Sequence, residues 1–144
     1  MSIRVEGVAP LVQVYDMPRA LQFYRDALGF SVVGQSEPGD DCNWAMLQLD
    51  DATLMLNTAY DPEARPPQPD SARVRAHRDT ILFFGCRDLD ACYAHLVTRG
   101  VAAEPPRTAP YGMRQIFLSD PDGFGLCFQW PAEAGEGCPE ATSR

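Results

Sequence analysis

Two stretches of this chain repeat one another, and that repeat limits what it can fold into. VQVYDMPRALQFYRDALGFSV has a degenerate echo in LFFGCRDLDACYAHLVTRGVA. In each, a short apolar run leads to an aspartate (Asp16, Asp88), then to a helical pattern, then to a glycine (Gly29, Gly100). The offset from Asp16 to Asp88 is 88 − 16 = 72 residues, and LMLN (54–57) precedes LCFQ (126–129) by the same 72. Internal duplication at a fixed period signals a repeated supersecondary unit.

Each half has the punctuation of a capped helix. An aspartate before the first turn can accept hydrogen bonds from free amides there. A glycine after the last turn can take the left-handed conformation that ends a helix. Met17, Ala20, Leu21 and Tyr24 share a spacing with Leu89, Cys92, Tyr93 and Leu96. That spacing buries one helix face. Strand-like runs follow: SVVGQS, NWAMLQLD and ATLMLNTA in the first half, VAAEP, MRQIFLS and GLCFQW in the second. DPDG (120–123) supplies the turn between the last two. Each half therefore reads β-α-β-β-β, and the fold class is α+β. The predicted domain spans residues 5–131, as a module at 5–60, a polar, proline-rich linker at 61–79 and a module at 80–131. Residues 132–144 lack apolar periodicity and are expected to form a mobile tail.

Composition narrows the function. No apolar run approaches the ~20 residues of a membrane span, and the N-terminus lacks a secretory pattern, so no membrane partner and a cytoplasmic location are expected. The five cysteines are never spaced C-x-x-C and are expected as free thiols. A net charge of −8 argues against nucleic acid and weakly favours a cationic ligand. All twelve basic residues are arginines, which excludes Schiff-base chemistry on a lysine.

The run from Val14 to Phe30, V-x-D-M-x-x-A-L-x-F-Y-x-x-x-L-G-F, the run from Tyr111 to Phe128, YG-x-R-x-x-x-L-x-DPDG-x-x-L-x-F, and the repeat itself carry a resemblance. The chain resembles the vicinal oxygen chelate superfamily of glyoxalases, extradiol dioxygenases and bleomycin-resistance proteins. The resemblance implies paired modules whose curved mixed sheets form a groove. In metal-dependent members a ligand lies seven residues before the first-strand aspartate and four after the glycine of DPDG. Here those positions hold Ala9, Ile81 and Cys127, with Met55 matching Cys127 in the first half. Alanine and isoleucine cannot hold a divalent ion, so no metal and no cofactor are expected.

Strand alternation assigns the groove face. If Val12 and Val14 lie under the helix, the opposite face carries Leu11, Gln13, Trp44, Met46, Gln48, Met55 and Asn57 in the first half. In the second it carries Ile81, Phe83, Gln115, Phe117, Cys127 and Gln129. These residues, Ile81 excepted, are the candidate ligand-binding set, and no catalytic residue is assigned. Apolar walls with a few amides suit a small molecule; the competing reading pairs the amides with one another or across a dimer interface. Cys127 as a nucleophile would need a base, and neither His77, expected to be solvated in the linker, nor His95, on a helix, faces the groove. Arg114 either clamps an anion or pairs with an acid.

The function expected is metal-free binding of a small molecule, similar to the bleomycin-resistance branch, sequestering an aromatic or cationic compound such as an antibiotic. The resemblance also implies a homodimer. The alternative is a metal-dependent lyase or dioxygenase with ligands drawn from Gln13, Gln129 or Cys127. A third reading is an accessory domain whose groove is filled by side chains.

Overall fold

Both predicted helix caps form. The Asp16 carboxylate accepts from the Arg19 amide at 2.8 Å, and that of Asp88 from the Ala91 amide at 3.0 Å. Gly29 and Gly100 end the two helices at φ +103° and +73°. These features belong to a computed structural model that describes residues 1–133. The expected tail at 132–144, with Cys138, lies outside the described residues from position 134 onward. The chain divides into two units, one of residues 1–70 and one from Ser71 onward.

The first unit runs β1 (Leu11–Val14), α1 (Met17–Leu21), β2 (Ser31–Gln35), β3 (Trp44–Leu49) and β4 (Ala52–Thr58). Its sheet has the order β1-β4-β3-β2, with β1 parallel to β4 and the other pairs antiparallel. Helix α1 widens into a π-helical stretch over Gln22–Ala27, where the Leu28 amide reaches back five residues to the Phe23 carbonyl at 2.9 Å. The helix buries its stripe, Met17, Ala20, Leu21 and Tyr24, together with Val12, Val14, Ala45, Leu47, Leu54 and Leu56 of the sheet. Removing each larger apolar side chain from water contributes about 1.5–3 kcal/mol. Arg25 binds Asp26 and Asp40, each at 2.8 Å, and so ties the end of the helical segment to the loop before β3.

The second unit contains α2 (Ser71–Ala76), β5 (Ile81–Gly85), α3 (Leu89–Thr98), β6 (Arg107–Thr108), β7 (Met113–Ser119) and β8 (Gly125–Pro131). Its sheet order is β5-β8-β7-β6, again with one parallel pair, β5 and β8. The two parallel pairs match in register. Leu11 lies opposite Met55, and 72 residues on, Phe83 lies opposite Cys127. Leu89 and Leu96 of α3 are buried, as are Ile116, Leu118, Leu126 and Phe128 of the sheet.

Two expectations need correction. The strand predicted over VAAEP is absent; pairing begins only at Arg107, opposite Gln115. Pro105 and Pro106 have no N–H to give a ladder, so the chain joins the sheet after them. His77 is half-buried rather than solvated: its ring stacks on Phe124 at 3.9 Å. Its Nδ1 lies 2.6 Å from the Asp122 carbonyl oxygen, which can only accept, so Nδ1 carries the proton.

The polar segment that contains His77 is fastened to the β7–β8 turn. The Asp120 carboxylate accepts from the amides of Asp122 and Phe124 inside that turn, at 2.8 and 2.9 Å. Arg73 of α2 lies 3.6 Å from the buried Asp122 carboxylate. Gly123 adopts φ +93°, and the Val74 carbonyl sits where a β-carbon would be. Gly123→Ala therefore meets both left-handed strain and backbone. It should lower stability by about 1–3 kcal/mol, seen as an earlier urea-unfolding midpoint.

Candidate functional site

In each unit the helix covers one face of the sheet, and alternation turns the other residues to the opposite, open face. In the first unit these stand in rows. Leu11, Met55 and Met46 are consecutive neighbours across β1, β4 and β3, and Gln13, Asn57 and Trp44 form the next row. Leu11, Gln13 and Gln48 are exposed, whereas Trp44, Met46, Met55 and Asn57 are half-buried. The Trp44 ring lies 3.6 Å from the place a Gly34 β-carbon would occupy, so glycine lets the indole lie across β2. Gln48 donates to the Asp50 carbonyl at 3.2 Å, which directs its amide toward the hairpin turn.

In the second unit Cys127 stands between Phe83 on β5 and Phe117 on β7. The two rings meet edge to face at 6.2 Å. They remain 53% and 49% exposed while Cys127 is fully buried, so the phenylalanines, not the thiol, form the surface. Burial pushes the Cys127 thiol up to about 11. It is neutral at physiological pH and poorly suited to act as a nucleophile.

The next row holds an amide network. Gln115 is buried, and its Nε2 donates to Gln129 Oε1 at 3.0 Å and to Tyr111 Oη at 2.9 Å. Both amide hydrogens are thereby used, which leaves Gln115 Oε1 as an acceptor, with the Tyr111 hydroxyl and the Gln129 amide as donors beside it. The two predicted amides do pair with one another here. Beside this row a cleft of about 440 Å³ is lined by Gln115, Phe117, Glu104, Arg107, Thr108 and Pro110, among others.

Sequence reasoning missed Tyr111 and the cleft's 104–110 wall, because the strand was expected over residues 101–105 and forms only at Arg107–Thr108. The signal was present in the proline pair at 105–106. Of the two partners open to Arg114, an acid is present: it pairs with Asp90 of α3 at 3.0 Å. His95 is exposed on α3.

The donor chemistry does not suit a metal. Ala9 and Ile81 offer no donor atom, Met55 a soft thioether, and Cys127 a protonated thiol held among aromatic rings. Among the described residues, no group of three or more His, Cys, Asp or Glu side chains is arranged to hold a metal ion. Among those same residues, no helix is long and apolar enough to cross a membrane.

Two mixed sheets of this order, each with one helix-covered face, define the glyoxalase/bleomycin-resistance fold. The model for the Glyoxalase/Bleomycin resistance protein/Dioxygenase superfamily matches residues 7–128, and the chain belongs to that superfamily. It is similar to the uncharacterised protein YaeR of Escherichia coli strain K12, with 29% identity over 126 residues, 85% of this chain and 92% of YaeR. Among solved structures it resembles TnmS3, an antibiotic binding protein from Streptomyces sp. CB03234. Identity is 28% and the TM-score 0.64, with 91% of this chain and 100% of TnmS3 covered. A bleomycin-binding protein crystallised with bleomycin shares the fold at 21% identity and TM-score 0.63, over 87% of this chain and 98% of that one.

The buried state of Cys127 has a direct readout. Iodoacetamide at neutral pH should leave Cys127 unmodified in the folded protein and alkylate it once urea unfolds the chain. Peptide mass spectrometry checks this, and rapid labelling of the folded form would contradict the burial.

Proposed function

We propose that this protein binds a planar, amphipathic small molecule without a metal, and that the open sheet faces supply the contacts. The observation that carries the reading is the half-exposed pair Phe83 and Phe117 beside the Gln115–Gln129–Tyr111 network and its cleft. Exposed aromatic rings on a rigid strand face invite stacking, and fixed hydrogen-bonding groups beside them orient what stacks. A ligand group that donates toward Gln115 Oε1 and accepts from Tyr111 or Gln129 would match this polarity.

On the first unit, Leu11, Gln13, Trp44, Met46, Gln48, Met55 and Asn57 offer a second surface of the same chemistry, thioethers and an indole with amides between them. The likeness to TnmS3 supports an antibiotic or similar aromatic metabolite as the ligand class. The net charge of −8 favours a cationic one. The reading includes no catalytic residue and no cofactor, and it takes the chain to be a cytoplasmic homodimer, to be checked by light scattering.

A thermal-shift screen against aromatic antibiotics, cationic glycopeptides and simple aromatic amines tests the proposal, since a ligand that binds only the folded state raises the melting temperature. A compound that stabilises the protein should bind Phe117→Ala about tenfold more weakly, as expected for loss of one stacking partner. Tyr111→Phe, which keeps the ring and removes the hydroxyl, should cost a few-fold, read by the same titration. No shift with any of these compounds, or a stoichiometric transition metal in protein purified without chelator, would sink the reading.

A further inference from the structure

The cleft beside Gln115 and Phe117 has two charged residues in its wall, Glu104 and Arg107. Both are exposed, and among the described residues neither has an ion-pair partner, not even the other. Their places in the fold differ. Glu104 precedes the proline pair and lies outside the ladder, whereas Arg107 begins β6 and stands directly opposite Gln115 on β7. Directly opposed residues of an antiparallel pair share a face, with β-carbons about 4.5–5.5 Å apart. Arg107 therefore extends the amide row: Arg107, Gln115 and Gln129 follow one another across β6, β7 and β8.

The hydrogen bonds inside that row leave it rich in donors. Gln115 commits both amide hydrogens, one to Tyr111 and one to Gln129. The Tyr111 hydroxyl, having accepted one of them, still has its own hydrogen to donate. The Gln129 amide nitrogen has no partner among the described residues. The Arg107 guanidinium adds a planar fork of N–H groups and no acceptor. A neutral ligand group satisfies few of these donors. A carboxylate accepts several at once, and its two oxygens match the guanidinium fork.

We propose that the cleft selects an aromatic carboxylate, its ring stacked on Phe117 and its carboxylate held by Arg107 beside the Gln115 row. The inference rests on the small-molecule reading above and names the group that the cleft recognises. The net charge of −8 opposes it only at long range, since interactions between exposed charges are largely screened beyond about 8 Å at physiological ionic strength. A cationic group elsewhere on the same ligand would still gain from that field. Within the cleft the charges of Arg107 and Glu104 formally cancel, so position decides, and the guanidinium is the one that stands in the row with the donors. Glu104 then disfavours a second negative charge on the ligand.

The test uses the full chain and three bicyclic probes of similar shape, naphthoate, naphthamide and naphthylmethylamine, titrated by NMR chemical shift. The wild-type protein should bind naphthoate about fivefold more tightly than naphthamide, and the amine most weakly. Arg107→Gln should remove that preference and leave the affinity for naphthamide nearly unchanged, which also shows the fold intact. Arg107→Lys, which keeps the charge without the fork, should retain part of the preference. Glu104→Gln should tighten naphthoate alone, and Phe117→Ala should weaken all three probes alike. Equal affinity for naphthoate and naphthamide, tightest binding of the amine, or a preference that survives Arg107→Gln would overturn the carboxylate assignment and leave the stacking reading in place. No binding of any probe would overturn both.

Discussion

Everything functional in this chain depends on how its helices cover their sheets. Once Met17, Ala20, Leu21 and Tyr24 press onto Val12, Val14, Leu54 and Leu56, the register of β1 against β4 cannot slip by one residue without turning that apolar set to water. The same constraint acts in the second unit through Leu89 and Leu96. The opposite face follows as a geometric remainder: whatever alternates with the core must point away from it. Evolution of that face is then free of the folding problem, and its residues can be chosen for chemistry.

The two open faces were chosen differently. The first carries flexible thioethers and an indole, groups that adapt to a shape. The second carries two phenylalanines over a masked thiol and an amide whose hydrogens are already committed. A buried glutamine with both hydrogens donated is held in one orientation, and it presents a fixed acceptor rather than an adaptable one. The superfamily scaffold supports metal chemistry when its strand positions hold hard donors. With alanine, isoleucine, methionine and a neutral thiol at those positions, the same geometry leaves an apolar surface.

The turn at 120–123 shows how one short motif organises distant chain. Asp120 satisfies two amides within the turn, Asp122 lies against Arg73, its carbonyl accepts from His77, and Gly123 admits the Val74 carbonyl. The polar stretch from Arg73 to His77 thereby gains a defined seat within the second unit, although its own composition is that of a linker.

Much of this was legible in the residues alone. The repeat, the aspartate and glycine caps, the helix stripes and the strand parity are local or periodic properties, and periodicity survives any tertiary arrangement. They determined the architecture and which side chains share a face. The start of β6, the seat of His77, and the pairing of Gln115 with Gln129 and Tyr111 were decided only by the folded chain. Each depends on a distance between residues whose separation in sequence carries no period, and only packing brings such atoms within hydrogen-bond reach.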